Sequence, residues 1–146
     1  MCNVFHEYMK RICGIIFLLL SYASSYGQTD SLPANDRIAF RGAWIATVAN
    51  IDWPTPEAVG NTEKQQEEML FLLDSLHSIG INAIIFQVRP TADALYLSEL
   101  EPISNWLTGN QGVWGGQAEW DPLEFVVEEA HKRDMDVHVW LNPYRV

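Results

Sequence analysis

The stretch DVHVWLNPYRV, residues 136–146, decides how the rest of the chain is read. Val137 to Leu141 has the make-up of a buried strand, and it runs directly into Asn142, Pro143, Tyr144 and Arg145. Polar groups at the carboxyl end of a parallel strand are where an α/β barrel builds its site. Two earlier stretches end in the same way, in Asn50-Ile51-Asp52-Trp53 and in Gln87-Val88-Arg89-Pro90. The expected class is therefore α/β: the N-terminal three βα units of a TIM (β/α)8 barrel. The barrel is expected to be incomplete, because a whole one takes roughly 250 residues.

Working back from this strand, Asp121 as N-cap, Pro122 at the first helical position and Glu124 three residues after the cap mark a helix start. Its apolar stripe is Leu123, Val126, Val127 and Ala130, and His131, Lys132 and Arg133 read as its solvated end. A second strand is expected over Asn82 to Val88. Before it, Thr62 and Gln65 fit a capping box. Met69, Leu72, Leu73, Leu76 and Ile79 then share one face of a helix that Gly80 ends. Residues 39–49 (AFRGAWIATVA) read as the first strand, nearly continuously apolar, as suits a strand covered on both faces. Residues 50–60 form a loop with Pro54 and Pro56.

Strands alternating with helices argue for a parallel sheet with right-handed crossovers. An open doubly wound sheet begins the same way. Two features favour the barrel. No glycine-rich phosphate turn follows the first strand. The connection over residues 89–120 is far longer than the usual few residues, and long loops at one face are where barrels carry function.

Strand parity points to a site. In the third strand His138, Trp140 and Asn142 share one face, and Val137, Val139 and Leu141 the other. In the second, Gln87 and Arg89 lie opposite Ile84, Phe86 and Val88. In the first, Asn50 and Asp52 share the parity of Trp44, Ala46 and Val48. Asn50, Asp52, Gln87, Arg89 and Asn142 are then expected to converge at one end of the barrel. Plainer readings stand beside this one. Arg89 could make a structural ion pair with Asp93 or Asp52, and Asn50 and Asn142 could satisfy loop backbone. His138 reads better as a hydrogen-bonded core residue than as a catalyst. Trp106, Trp114 and Trp120, among the glycines of the long loop, suit either a carbohydrate platform or a loop that packs its own small core.

Composition bounds the function. Nine Lys and Arg against 19 Asp and Glu give a net charge of −10, which argues against nucleic acid as a partner. No pair of histidines has metal-binding spacing, so neither a metal nor another cofactor is expected. Met9-Lys10-Arg11, the apolar run Ile12 to Leu20 and the small polar segment Ser21 to Gly27 have the layout of a secretory signal. The run is too short for a stable membrane span, which needs about 20 residues. Residues 1–27 are therefore expected to be a signal peptide, cut after Gly27 or after Ser25. Residues 28–38 would be a flexible lead-in and 39–146 the barrel part. Both cysteines, Cys2 and Cys13, fall in the signal. A cysteine-free mature part has no disulfide, and Cys13 reads as signal filler rather than a lipid-attachment site. Export to the periplasm or the exterior follows, with no stable membrane insertion after cleavage.

The stretches FRGAWIATVANIDWP (40–54), GINAIIFQVRPTADALY (80–96), EPISNWLTGNQG (101–112) and WDPLEFVVEEAHKRDMDVHVWLNPYR (120–145) resemble the N-terminal part of the family 10 glycosyl-hydrolase-like proteins. The resemblance implies a secreted or periplasmic TIM barrel that hydrolyses glycosidic bonds in a polysaccharide or cell-wall glycan, with carbohydrate as its substrate. It carries Asn50, Asp52 and Trp53, then Gln87, Arg89 and Asp93, then Asn142, Tyr144 and Arg145 over as substrate-binding positions. It also implies that the catalytic carboxylates sit on later strands, so no catalytic residue is assigned within these 146 residues and the fragment alone is expected to be inactive. Asp52 and Asp93 are the only acids this reading places at a strand end or in its loop. A barrel that holds glycans without cutting them, and an inactive gene fragment, are the alternatives.

Overall fold

Alternation in the central strand organises the chain. The computed structural model describes residues 39–115 and 119–145. The expected signal segment and the lead-in lie outside the described residues. Three strands, β1 (Gly42–Ile45), β2 (Ala83–Arg89) and β3 (Asp136–Leu141), form a parallel sheet in the order β1-β2-β3. Helix α1 (Thr62–Ser78) joins the first two strands. A long connection with the short helix α2 (Asn105–Thr108), then α3 (Pro122–His131), joins the second to the third.

In β2 the side chains of Ile84, Phe86 and Val88 point to one face and are at most 1% exposed. Parallel pairing sets Ile45 beside Phe86 and Val137 beside Ile84, so the three strands present one apolar face. Met69 and Leu73 of α1 and Val126 and Ala130 of α3 are fully buried in the same core. Each large side chain so buried contributes about 1.5–3 kcal/mol, and this packing fixes the register of the sheet.

The helix ends follow local chemistry. Asp121 caps α3 as expected, its Oδ1 accepting from Glu124 N at 3.0 Å. The cap of α1 is Asn61, one residue before the expected Thr62, and its Oδ1 accepts from Lys64 N at 3.0 Å. Gln65 is drawn inward instead of closing a capping box. Its Nε2 donates to Ala58 O and Leu107 O, tying α1 to the long connection. Gly80 takes φ +84 after α1, a conformation in which a Cβ is costly.

The first strand is shorter than expected. It ends at Ile45, and the chain turns through a single 3-10 turn, Val48–Asn50. The cause is Gln87 of β2. Its Oε1 accepts from Thr47 N and Val48 N, both at 2.9 Å, while Thr47 Oγ1 donates to Gln87 O at 2.9 Å. A side chain thus takes the backbone donors that a continuing ladder would have used. Ala49 and Asn50 follow with φ of 54° and 51°.

The long connection supplies its own packing. Ala94 and Ile103 form an isolated parallel bridge, and Leu95, Ile103 and Leu107 join the main core. Trp114 and Trp120 are partly buried and pack against that core. Self-packing describes Trp120, whose ring stands edge-on to Trp53 and Phe125, while Trp114 also lines a cleft on this connection.

Candidate functional site

The carboxyl ends of β2 and β3 meet at a guanidinium. Arg89 is the last residue of β2, beside a register shift that leaves Gln87 opposite Trp140 and Arg89 opposite Leu141. Its side chain lies across the strand ends. Nε donates to Glu101 Oε1 at 2.5 Å and Nη1 donates to Asn142 O at 2.5 Å. Asn142 N donates back to Arg89 O at 3.0 Å. The Asn142 side chain is also engaged: Nδ2 donates to Pro90 O at 3.1 Å and Oδ1 accepts from Trp140 Nε1 at 2.8 Å. Arg89 and Asn142 are therefore brought together as parity suggests, but through a loop acid that strand parity does not reveal.

That acid is Glu101. It lies 12 positions after Arg89 and reaches it because the connection folds back over β2. The expectation that Asp52 and Asp93 are the only acids near a strand end is corrected here. The plainer reading of Arg89 named Asp93 or Asp52 as an ion-pair partner; it does form an ion pair, but with Glu101. The Glu101 side chain is 23% exposed, and its Oε2 is buried with no hydrogen-bond partner among the described residues. Tyr96 stands close by. Burial, then the negative charge of Glu101, raises its phenol above the ordinary pKa, with Arg89 opposing.

The other expected site residues divide. Gln87 is fully buried, with its oxygen committed to Thr47 and Val48 and its Nε2 left without a partner among the described residues. Asp93 is also fully buried. Its Oδ1 accepts from Thr91 N at 2.7 Å and its Oδ2 from Ser104 Oγ at 2.5 Å, so it staples the long connection. Trp53 is a core residue, 1% exposed, with Nε1 donating to Gln65 O at 2.9 Å and its ring edge-on to Phe86 and Trp120. Expected among the substrate contacts, Trp53 thus has its side chain sealed in the core in this structure.

Asn50 and Asp52 leave the strand parity at the turn after Ile45. Asn50 Nδ2 donates to Pro54 O and Trp106 O, bracing the turn against α2. Asp52 Oδ2 accepts from Ala46 N at 2.7 Å while its carboxylate stays at the surface. Tyr144 and Arg145 are exposed, Tyr144 almost completely. With Trp140, Asn142 and Pro143 they line an open groove of about 520 Å³ at the end of β3.

The open face of the sheet leads into this groove. Trp44 and Trp140, on either side of β2, pack edge to face with centroids 5.2 Å apart, and Phe40 packs on His138 at 5.4 Å. His138 is exposed on this face, against an aromatic ring, and not in the core. No group of His, Cys, Asp and Glu able to hold a metal occurs among the described residues. Nor is any described helix long and apolar enough to cross a membrane.

A family model described as glycosyl hydrolase-like 10 matches residues 39–146. The chain is 47% identical over 106 residues to the glycosyl hydrolase YngK of Bacillus subtilis, a match that spans 73% of this chain and 20% of that protein. It is 45% identical over 112 residues to the glycosyl hydrolase DigH of Escherichia coli K12, spanning 73% of this chain and 25% of that one. The DigH protein of Shigella flexneri matches to the same extent. The chain thus spans a fifth to a quarter of the length of these curated relatives.

Proposed function

Because the chain belongs to the glycosyl hydrolase-like 10 family, we propose that it forms the sugar-binding wall of a secreted or periplasmic glycoside hydrolase that acts on a polysaccharide or cell-wall glycan. In this reading the three parallel strands are the first of a TIM barrel. Their open aromatic face looks into the barrel, and their carboxyl ends carry substrate. The observation that carries it is Arg89, held at the ends of two strands by Glu101 and Asn142 beside a groove with Trp140 and Tyr144.

The parts suit sugar. A guanidinium carries five donors in a fixed plane. Two are engaged by Glu101 and Asn142, and the others make no hydrogen bond among the described residues. Sugar hydroxyls accept from such donors, and a ring's C–H face packs on an exposed aromatic such as Tyr144. Hydrolysis of the bond needs two carboxyl groups flanking it at a set separation. Asp93 is sealed in the core, and both Glu101 Oε1 and Asp52 Oδ2 accept hydrogen bonds from the protein. The reading therefore assigns the acid and its partner to strands that follow β3 in the family fold. Asp52, at the surface of the β1 turn, is left to bind hydroxyls.

The test is turnover by a protein that joins this segment to the later strands the reading requires, on purified cell-wall glycan strands and on soluble polysaccharides, followed by release of reducing ends. Arg89→Ala should abolish turnover while the protein stays folded. A folded variant with full activity would show that the groove lies elsewhere. A barrel that binds glycan without releasing reducing ends would mark the non-catalytic alternative.

A further inference from the structure

A second cleft lies on the long connection, beside the groove at the strand ends. It encloses about 260 Å³ and is lined by Tyr96, Ser98, Glu101, Ile103, Gly112 and Trp114, among others. That is near the low end of ligand pockets, which run about 300–1,000 Å³, and it suits one ring and not several. Glu101 joins the cleft to the site already described. Its Oε1 holds Arg89 Nε, and the same guanidinium holds Asn142, which lines the groove.

The second carboxylate oxygen, Oε2, is buried and accepts nothing among the described residues. A buried acceptor left without a donor is costly, and a donor from a ligand removes that cost. Ser98 Oγ already accepts from Leu100 N and Glu101 N, at 3.1 and 3.2 Å, so its own hydrogen remains to be donated. Tyr96 adds a phenol, and Trp114 and Ile103 add apolar wall. The only formal charge in the lining is that of Glu101, which Arg89 balances. The cleft therefore offers one acceptor, the Ser98 hydroxyl as a donor, a Tyr96 phenol that already interacts with Glu101, and an indole, with nothing to welcome an anion.

We propose that this cleft is an accessory subsite that takes one neutral hexopyranose unit of a longer glycan, whose hydroxyl donates to Glu101 Oε2 while the ring packs against Trp114. The inference rests on the glycan reading of the strand-end groove and adds to it a preference for chain length. Short glycans would fill the groove alone, and longer ones would also reach the cleft.

The experiment measures binding of chito- and cello-oligosaccharides, disaccharide against pentasaccharide, to the full chain by calorimetry. Glu101→Gln keeps an oxygen for Arg89 but can place an amide where the free acceptor stood. Trp114→Leu removes the indole. Each should weaken the pentasaccharide about tenfold, the scale of losing one central contact, and Trp114→Leu should leave the disaccharide unchanged. Should Trp114→Leu fail to fold, the indole N–H resonance of Trp114 in the unaltered chain replaces it. That resonance should shift with the pentasaccharide and not with the disaccharide. Equal effects on both lengths, or none, overturn the subsite while the glycan reading stands. An unaltered chain that binds none of the oligosaccharides overturns the glycan reading and the subsite with it.

Discussion

The two faces of the sheet are built from the same three strands and behave differently. On one, Ile45, Ile84, Phe86 and Val88 are sealed beneath α1 and α3. On the other, Trp44 is 64% exposed and Phe40 63%, and their rings stand edge to face with Trp140 and His138. Both faces are apolar or aromatic, so hydrophobicity does not separate them. What separates them is cover: helices seal Ile45, Ile84, Phe86 and Val88 on one side, while on the other Ala83 and Gln87 of β2 are buried but the flanking rings of Phe40 and Trp44 remain exposed. The difference teaches that the buried face holds the fold, while the aromatic rings of the other face contribute less to it.

The comparison breaks if the faces cost the same to damage. Phe86→Ala should lower stability by about 3–5 kcal/mol, the range for a fully buried large ring, whereas Trp44→Ala should cost less than about 1 kcal/mol. Chemical denaturation of the full chain with each variant reads both. A Trp44 variant as damaged as the Phe86 variant would mean that the open face is covered.

Arg89 tests the boundary between the faces. Arg89→Ala should cost about 1–2 kcal/mol, because it strips Glu101 of the guanidinium it pairs with and leaves a half-buried carboxylate. Adding Glu101→Gln to it should return part of that loss. A double variant weaker than the sum of its parts would rule out this pairing as the source.

The turn after β1 sharpens the contrast further. Ala49 is exposed and sits at φ 54°, where a Cβ costs roughly 1–2 kcal/mol. Ala49→Gly should therefore raise the thermal midpoint slightly, by the equivalent of up to about 1 kcal/mol after the added chain entropy. A lower midpoint would mean that Asn50, through Pro54 and Trp106, does not alone hold the turn.

The smallest effect is a pH dependence. The Tyr96 phenol is raised by burial and by Glu101, so the folded chain favours its neutral form. The associated stability is fully present below the ordinary phenol range, near pH 10, and is lost as pH rises through the folded value. In an ultraviolet titration Tyr96 should ionise after an ordinary phenol, and Tyr96→Phe should remove that late step. A late step that persists in the variant assigns the shift to another tyrosine.

Much of the fold is legible in local pattern. The alternation of Ile84, Phe86 and Val88, the α1 residues Met69 and Leu73, and the Asp121-Pro122 start of α3 each state their element through neighbours a few positions away. The sequence by itself determined the element order, the parallel sheet, the buried face of β2 and the family, whereas Val139 and Leu141 of β3, expected under the helices, are half exposed. It also placed Arg89 and Asn142 at neighbouring strand ends, because period-two geometry and short-range caps act over a few residues.

Tertiary structure decided the rest. Gln87 cuts β1 short from a position 40 residues further along the chain, which moves Asn50 and Asp52 off the expected parity. Trp53 turns inward to meet Gln65, Phe86 and Trp120. Glu101 finds Arg89 only when the long connection folds back. Each of these is a contact between segments whose spacing carries no periodic signal. A side-chain hydrogen bond of this kind is set by the fold's closure and not by the residues on either side of it.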